Sequence, residues 1–125
     1  MSTYQPGRCN IGSQQRRRRL LVAGAGFGAA GLTTLAYVAG AVPAPALLAV
    51  FAFLTVGFEW GLQAYRAFCV RLAVRSRYDF RGDGGDAGTV TEPSARQDDR
   101  VQAVRFTVVG LVLAALVTGL LFALL

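Results

Sequence analysis

The residues best able to do chemistry form a polar stripe inside an otherwise apolar stretch of the chain. The stripe consists of Thr55, Glu59, Gln63, Arg66 and Cys69. On a helix these positions fall within about 120° of arc, at about 100° per residue. Glu59 stands well inside a predicted membrane span, about 10 Å along the helix from Arg66. An acid at that depth is costly, which favours a functional role.

Two interpretations of this stripe stay open. In the first, it holds helices together, with Glu59 neutral or paired with Arg19 or Arg66. In the second, the stripe relays protons or cations, or it forms the surface on which a larger membrane partner docks. Glu59, Gln63 and Arg66 are the candidate functional residues in either case.

The two thiols, Cys9 and Cys69, are further candidates. Both are predicted at the same membrane face, so they could meet although 60 residues separate them in the sequence. Two thiolates can hold a soft ion such as Cu(I), a dithiol can form a bridge, and reduced thiols can simply pack as small apolar groups. With no His and one Met, the sequence predicts no metal site and no cofactor.

Catalysis is not expected, because no nucleophile–base pair or phosphate loop is present. A glycine-rich run over residues 22–32 matches the glycine spacing of a dinucleotide-binding motif. The chain lacks the acidic residue and the strands that a dinucleotide-binding fold requires. Small residues on membrane helices let neighbouring helices approach closely. The predicted packing residues are Gly24, Gly28, Gly31, Gly110, Ala114 and Gly119.

The elements that carry these residues are predicted from the distribution of charge. Apolar residues make up 54% of the 125-residue chain and charged residues 16%. An uncharged stretch from Leu20 to Phe58 is too long for one span of about 20 residues. Pro43 and Pro45 break it. We therefore expect a first span near residues 20–41, after an N-terminal arm over residues 1–19, and a second span near residues 46–65.

The second half of the chain predicts one more span. Helical spacing continues the second helix to about residue 78, and a Gly- and Asp-rich segment over residues 79–93 predicts a flexible loop. Ser94 and Gln97 match a capping box, so a third helix is expected over residues 94–125 with its span near 106–125. The predicted fold class is all-α, an integral membrane protein with three transmembrane helices, the second and third extended into the cytoplasm.

Orientation follows from the 13 basic residues, all of which are arginines. Arginines lie before the first span and between the second and third spans, while the turn at 42–45 and the C-terminus carry none. The positive-inside rule therefore predicts a cytoplasmic N-terminus and an external C-terminus in the plasma membrane. The same rule accounts for the net charge of +6, so we expect no nucleic-acid partner. Cleavage of the first span as a signal peptide stays open.

Short motifs carry a resemblance to known membrane proteins. Cys9-Asn10-Ile11-Gly12, the run Arg16–Arg19 and Phe68-Cys69-Val70 make the chain resemble a group of small uncharacterised bacterial and archaeal membrane proteins. Asn10-Ile11-Gly12 with Arg16 and Arg19 is also similar to the opening of small two-span proteins that are sometimes fused to a rhodanese domain. The likeness to mercuric transport membrane proteins is one of topology. These resemblances imply a membrane hairpin with a basic entry.

The function predicted from the sequence is non-enzymatic. We expect a protein that acts through helix packing, as a homo-oligomer or as an accessory subunit of a membrane complex, in a bilayer with anionic headgroups. The alternative is a small transporter or channel subunit for a proton, cation or soft metal, using Glu59 with or without Cys9 and Cys69.

Overall fold

The computed structural model describes residues 4–81 and 85–125, and 72% of these residues are helical. Three long helices and a small capping region make up the fold. In chain order the elements are α1 (Ser13–Val38), a short 3-10 helix (Ala44–Ala46), α2 (Leu47–Arg66), α3 (Val70–Val74), β1 (Arg77–Asp79), β2 (Ala87–Thr89) and α4 (Pro93–Leu124).

The expectation of three helices long and apolar enough to cross a membrane is confirmed. The connection between α1 and α2 forms where the sequence places its prolines: α1 ends at Val38, Gly40 adopts a left-handed φ of 79°, and Pro45 falls in the 3-10 helix. At 32 residues, α4 is about 48 Å long at 1.5 Å per residue, which exceeds a hydrocarbon core of about 30 Å. Helix α4 is therefore longer than one membrane span requires.

Helix α2 is the centre of the three-helix arrangement. It packs against both α1 and α4, whereas α1 and α4 scarcely contact each other. Leu47, Val50 and Leu54 on α2 bury their side chains with Ala30 of α1 and Ala114 of α4. The three long helices thus form an open row and not a closed bundle.

Close contact between α1 and α2 depends on Gly26 and Gly57. A methyl group on Gly26 would lie 2.8 Å from the carbonyl oxygen of Phe53 and 2.9 Å from the backbone nitrogen of Gly57. A methyl group on Gly57 would meet the ring of Phe27 at 2.7 Å. Only glycine lets these two backbones approach so closely.

The expected contacts of Gly24, Gly28 and Gly31 with a neighbouring helix are not found within the described part of the chain. No atom there lies within 4 Å of the position where a side chain on these glycines would begin, and the same holds for Gly119 on α4. Gly110 and Ala114 of α4 are buried against α2. The sequence pattern identified small residues on α1 correctly, but the face that meets α2 carries Gly26.

The expected continuation of the second helix to residue 78 is also wrong. Helix α2 ends at Arg66, Ala67 takes a left-handed φ of 52°, and the backbone is extended at Cys69 before α3 begins. The carbonyl oxygen of Ala67 instead accepts hydrogen bonds from the backbone nitrogens of Asn10 and Ile11. The N-terminal segment therefore takes the place of a continuing helix.

The segment expected to be a flexible loop, residues 79–93, has structure where it is described. Strands β1 and β2 pair antiparallel, with Arg77 opposite Thr89 and Asp79 opposite Ala87, and residues 82–84 lie outside the described part. This hairpin departs from an all-helical fold, as do two isolated β-bridges that pair Gln5 with Cys9 and Ile11 with Asp79. It forms a capping region with α3 and residues 4–12, in which Ile11 and Phe80 are fully buried.

The end of the N-terminal arm and the start of the third helix differ from expectation. Helix α1 begins at Ser13, so Arg16–Arg19 lie in its first two turns and the arm is shorter than residues 1–19. Helix α4 begins at Pro93 with Glu92 as its N-cap and no side-chain cap, so the predicted capping box of Ser94 and Gln97 does not form. The Ser94 hydroxyl donates to Glu92 Oε1 at 3.3 Å instead. Proline at the first helical position sets the start, because its missing N–H needs no partner there.

Candidate functional site

The break between α2 and α3, residues 67–69, is held by Asn10. Its Oδ1 accepts the backbone N–H of Cys69 at 2.6 Å, and its Nδ2 donates to the Cys69 carbonyl oxygen at 3.1 Å. Asn10 is fully buried, so both hydrogen bonds are sheltered from water. The Asn10 amide thereby pairs the Cys69 N–H and adds a second donor to the Cys69 carbonyl oxygen, which also accepts the backbone N–H of Ala73 in α3.

Arg16 caps the last turn of α2 from the neighbouring helix. Its Nε donates to the carbonyl oxygen of Ala64 at 2.8 Å, and its Nη2 donates to that of Tyr65 at 3.4 Å. Carbonyl groups at a helix C-terminus lack partners and carry partial negative charge, so a guanidinium is favourable there. The arginine end of α1 is therefore fixed to the arginine end of α2.

A cavity of about 420 Å³ lies beside this break and brings several predicted residues together. We call it the Glu59 cavity. Its lining consists of Arg19, Glu59, Trp60, Gln63, Cys69, Val70 and Arg71.

Arg19 and Gln63 organise the polar side of the Glu59 cavity. Arg19 Nη2 lies 2.7 Å from Cys69 Sγ, and Arg19 Nε donates to Gln63 Oε1 at 3.4 Å. The same Gln63 oxygen accepts the backbone N–H of Val70 at 3.2 Å, which fixes the start of α3. Three residues of the predicted stripe thus line one cavity, together with an arginine from α1.

Glu59 is not paired with Arg19 or Arg66. Its side chain is 8% exposed, and its Oε1 has no hydrogen-bond partner among residues 4–81 and 85–125. That oxygen lies against Gly110 of α4, where a methyl group would collide with the carboxyl group. Gly110 therefore provides the space that Glu59 occupies between α2 and α4. A buried acid without a partner is unusual, since buried polar groups are nearly always hydrogen-bonded.

The other two members of the stripe lie apart from the cavity. The Thr55 hydroxyl donates back to the Phe51 carbonyl oxygen at 2.8 Å on its own helix. Arg66 is exposed and lines a different cavity, beside Arg8 and Cys9. Helical spacing placed them on one arc, but the helix ends at Arg66 and their surroundings differ.

Both thiols are free and buried within one apolar cluster that includes Ile11 and Phe80. Cys9 Sγ donates to the Ile11 carbonyl oxygen at 3.7 Å, while Cys69 Sγ faces Arg19. Burial raises the pKa of the Cys9 thiol. The two sulfurs therefore have different partners, although the fold brings them to the same cluster.

Two residues outside the predicted candidates connect the N-terminal segment to the helices through hydrogen bonds. Asn10 is one of them. Asp99 of α4 is the other: it is fully buried, and its two oxygens accept the Tyr4 hydroxyl at 2.6 Å and the Gly7 backbone N–H at 2.7 Å. Burial and the hydrogen bond to Asp99 raise the pKa of Tyr4. An Asp on an amphipathic helical stretch gives no sign that it is buried, so the sequence offered no signal for it.

No group of three or more Cys, Asp and Glu side chains that could hold a metal ion occurs in the described part of the chain. Comparison with known proteins adds no further assignment. No family model matches this chain, and neither does any curated protein or any solved structure.

Proposed function

We propose that this chain is a multi-pass plasma-membrane protein with its arginine end in the cytoplasm. Its apolar side chains support this location, because they face outward along all three long helices. Leu32 is 71% exposed on α1, Leu48 is 65% exposed on α2, and Leu120 is 61% exposed on α4. Soluble monomers rarely expose contiguous apolar surface beyond a few hundred Å². A bilayer covers such surface without a partner.

Within the membrane we propose that the protein acts by helix packing, as a homo-oligomer or as an accessory subunit of a larger complex. The main observation in support of this proposal is that the three long helices form an open row. A cavity of about 430 Å³ remains between α1, α2 and α4, lined by apolar groups that include Gly31, Leu54 and Val117. A helix from another chain fits such a groove better than lipid tails do, since small residues let its backbone approach closely.

The open glycines of α1 support the same proposal. Gly24 and Gly28 lie one turn apart with nothing over them, and Gly31 continues that face. A Cβ atom at these positions would meet no described atom of the monomer, whereas a leucine side chain there would block the approach of a second helix.

Crosslinking in native membranes tests this proposal. We expect wild-type protein to give a discrete crosslinked species and Gly31→Leu, at a residue that lines the groove, to lose it. Ala25→Leu is the matched control, because Ala25 is also exposed on α1 but lies about 120° around the helix from Gly31. A monomer in all three samples, or equal loss in both variants, would contradict the proposal.

A transporter or channel subunit for a proton, cation or soft metal is the second candidate. Buried Glu59 favours it, because its Oε1 has no partner in the described residues and its side chain lines the Glu59 cavity beside Arg19 and Cys69. Intramembrane acids of this kind often mark an ion pathway. Cys69 could add a soft ligand there, whereas Cys9 does not line that cavity.

Flux in reconstituted vesicles separates the two candidates. A transporter predicts flux of protons, monovalent cations or Cu(I) that Glu59→Gln abolishes. Glu92→Gln is the matched control, since Glu92 is exposed and lies outside the cavity. Absent flux, or flux that Glu59→Gln leaves unchanged, would exclude this second candidate.

Membership of the group of small bacterial and archaeal membrane proteins is part of the same proposal. Its motif residues support it, because Asn10 and Arg16 make the contacts that join α1, α2 and α3. A motif that carries such contacts is expected to recur with the hairpin it stabilises.

A further inference from the structure

We propose that this protein binds an anionic phospholipid at a defined site between the arginine ends of α1 and α2. The headgroup site is a cavity of about 590 Å³, here called the arginine pocket. Gln5, Arg8, Arg16, Tyr65 and Arg66 are among its lining residues. The inference rests on the membrane location proposed above, but it does not depend on oligomerisation or on transport.

The charge of the arginine pocket favours a phosphate group. Three guanidinium groups converge on it, and none of its described lining residues is an acid. Arg16 is held in place by the carbonyl oxygens of α2, at 2.8 Å and 3.4 Å. The side chains of Arg8 and Arg66 make no hydrogen bond or ion pair within the described residues, so their guanidinium donors are available. Guanidinium groups bind phosphate oxygens through paired, charge-assisted hydrogen bonds.

A second cavity extends the arginine pocket along the apolar part of the helices. It has a volume of about 420 Å³, shares Arg16 and Tyr65 with the pocket, and continues past Leu20, Gly61 and Ala64 between α1 and α2. Gly61 has no side chain to fill this groove. A hydrocarbon chain could therefore lie in the groove while its phosphate lies in the arginine pocket.

The position of the two cavities relative to the helix ends also fits a lipid. The arginine pocket lies at the last turn of α2, where exposed Arg66 and the 78% exposed Tyr65 mark the boundary between apolar and polar surface. Aromatic and arginine side chains at such a boundary lie at the level of the headgroups. A free phosphate would use the pocket alone, whereas a phospholipid uses both cavities.

Two double variants test whether the site is specific. Arg8→Gln with Arg66→Gln removes two charges from the arginine pocket. Arg18→Gln with Arg75→Gln removes two charges from exposed arginines that do not line it. Both variants lose the same net charge, so they lose the same general attraction to an anionic surface. The measurement is native mass spectrometry of the full chain in detergent, titrated with phosphatidylglycerol or with phosphatidylcholine.

We expect wild-type protein to retain phosphatidylglycerol in preference to phosphatidylcholine. The pocket variant should lose about 25-fold in phosphatidylglycerol affinity, at roughly fivefold for each of its two lost arginine contacts, and the control should keep its affinity. If circular dichroism shows that the double pocket variant loses helix, the single variants Arg8→Gln and Arg66→Gln replace it, each with a loss of about fivefold.

Three outcomes would overturn the proposal. The first is wild-type protein without a preference for the anionic lipid, and the second is an equal loss of affinity in the pocket variant and its control. The third is inorganic phosphate at millimolar concentration raising the melting temperature as much as phosphatidylglycerol does, since that would make the ligand a soluble phosphate. Cell fractionation tests the membrane location separately, so its failure is distinguishable from failure of the lipid site.

Discussion

At the scale of single residues, the contact between α1 and α2 depends on which glycine faces the neighbouring helix. Gly26 lies against the backbone of Phe53 and Gly57, and Gly28 lies against nothing. The two positions are one half-turn apart on the same helix. Glycine is therefore required at position 26, where α2 lies against it, whereas a larger residue fits at position 28.

We expect Gly26→Ala to lower the free energy of unfolding by about 1–3 kcal/mol, because its methyl group meets rigid backbone. Gly28→Ala is the control and should not lower it, because alanine is favoured over glycine in a helix by about 0.5–1 kcal/mol and no clash opposes it there. Unfolding in mixed micelles, followed by the fluorescence of the single tryptophan, measures both. Equal stability of the two variants would contradict the α1–α2 contact.

Asp79 gives a prediction about pH. Its carboxylate accepts hydrogen bonds from Arg81 Nη2 at 3.0 Å and from Gln15 Nε2 at 2.9 Å. The side-chain hydrogen bond from Arg81 lowers the pKa of Asp79 below its ordinary value of 3.8. A lowered pKa contributes stability that is fully present above 3.8 and is lost as pH falls through the lower folded pKa.

Asp79→Asn should therefore melt at a lower temperature than wild-type protein at pH 7, and this difference should shrink as the pH falls toward 3. Asp86→Asn serves as the control, because the exposed Asp86 side chain makes no hydrogen bond within the described residues. A difference in melting temperature that is the same at both pH values would show that the carboxylate charge of Asp79 has no part in stability.

At the scale of elements, the end of α2 is decided by residues far away in the sequence. Val70, Ala73 and Val74 keep helical spacing, so local pattern alone predicts one helix to about residue 78. Asn10 overrides this preference, because its side chain pairs with both backbone groups of Cys69. A tertiary contact of this kind routinely outweighs helix propensity, which amounts to tenths of a kcal/mol per residue.

Asn10→Ala should open this break. The Cys69 N–H would lose its partner and the Cys69 carbonyl oxygen would keep only its hydrogen bond from Ala73, at a cost of about 1–3 kcal/mol in the free energy of unfolding. Cys69 is 3% exposed in the intact fold, so its alkylation by a water-soluble maleimide should become faster. Peptide mapping distinguishes Cys69 from Cys9, and Gln14→Ala, at an exposed position of α1, is the control. Unchanged alkylation of Cys69 in Asn10→Ala would contradict this account.

At the scale of the whole molecule, the capping region and the three long helices have opposite surfaces. The helices expose apolar side chains, whereas the arginines collect at one end with α3 and the hairpin. Asp99, Asn10 and Arg16 join the N-terminal segment, α1, α2 and α4 at that end. The capping region thus holds helices that form an open row in their apolar part.

Labelling of intact cells tests the proposed orientation. A membrane-impermeant maleimide should label Ala44→Cys, which lies in the turn between α1 and α2, and it should label Arg81→Cys only after permeabilisation. The native thiols give a low background, because Cys9 and Cys69 are 5% and 3% exposed. The reverse pattern would place the arginine end outside the cell and overturn the proposed topology.

Part of the candidate site could be predicted from helical spacing. Glu59, Gln63 and Cys69 line one cavity as the stripe implied, since α2 is regular at Glu59 and Gln63 and Cys69 follows closely. The sequence could not show that Arg66 and Thr55 lie outside this cavity. Their positions depend on where α2 ends and on which face of α2 meets α4. Arg19 came from another helix, so its contact with Cys69 depends on how α1 and α2 pack.

The sequence by itself determined three long apolar helices, the break at the prolines and the collection of arginines at one end. Those features depend on local composition: hydropathy, charge and the missing N–H of proline act over a few residues. Tertiary structure alone decided that Gly26 and not Gly24 or Gly28 meets α2, that α2 ends at Arg66, and that Gly110 makes room for Glu59. Each depends on atoms brought together from distant parts of the chain, and no local pattern records such contacts.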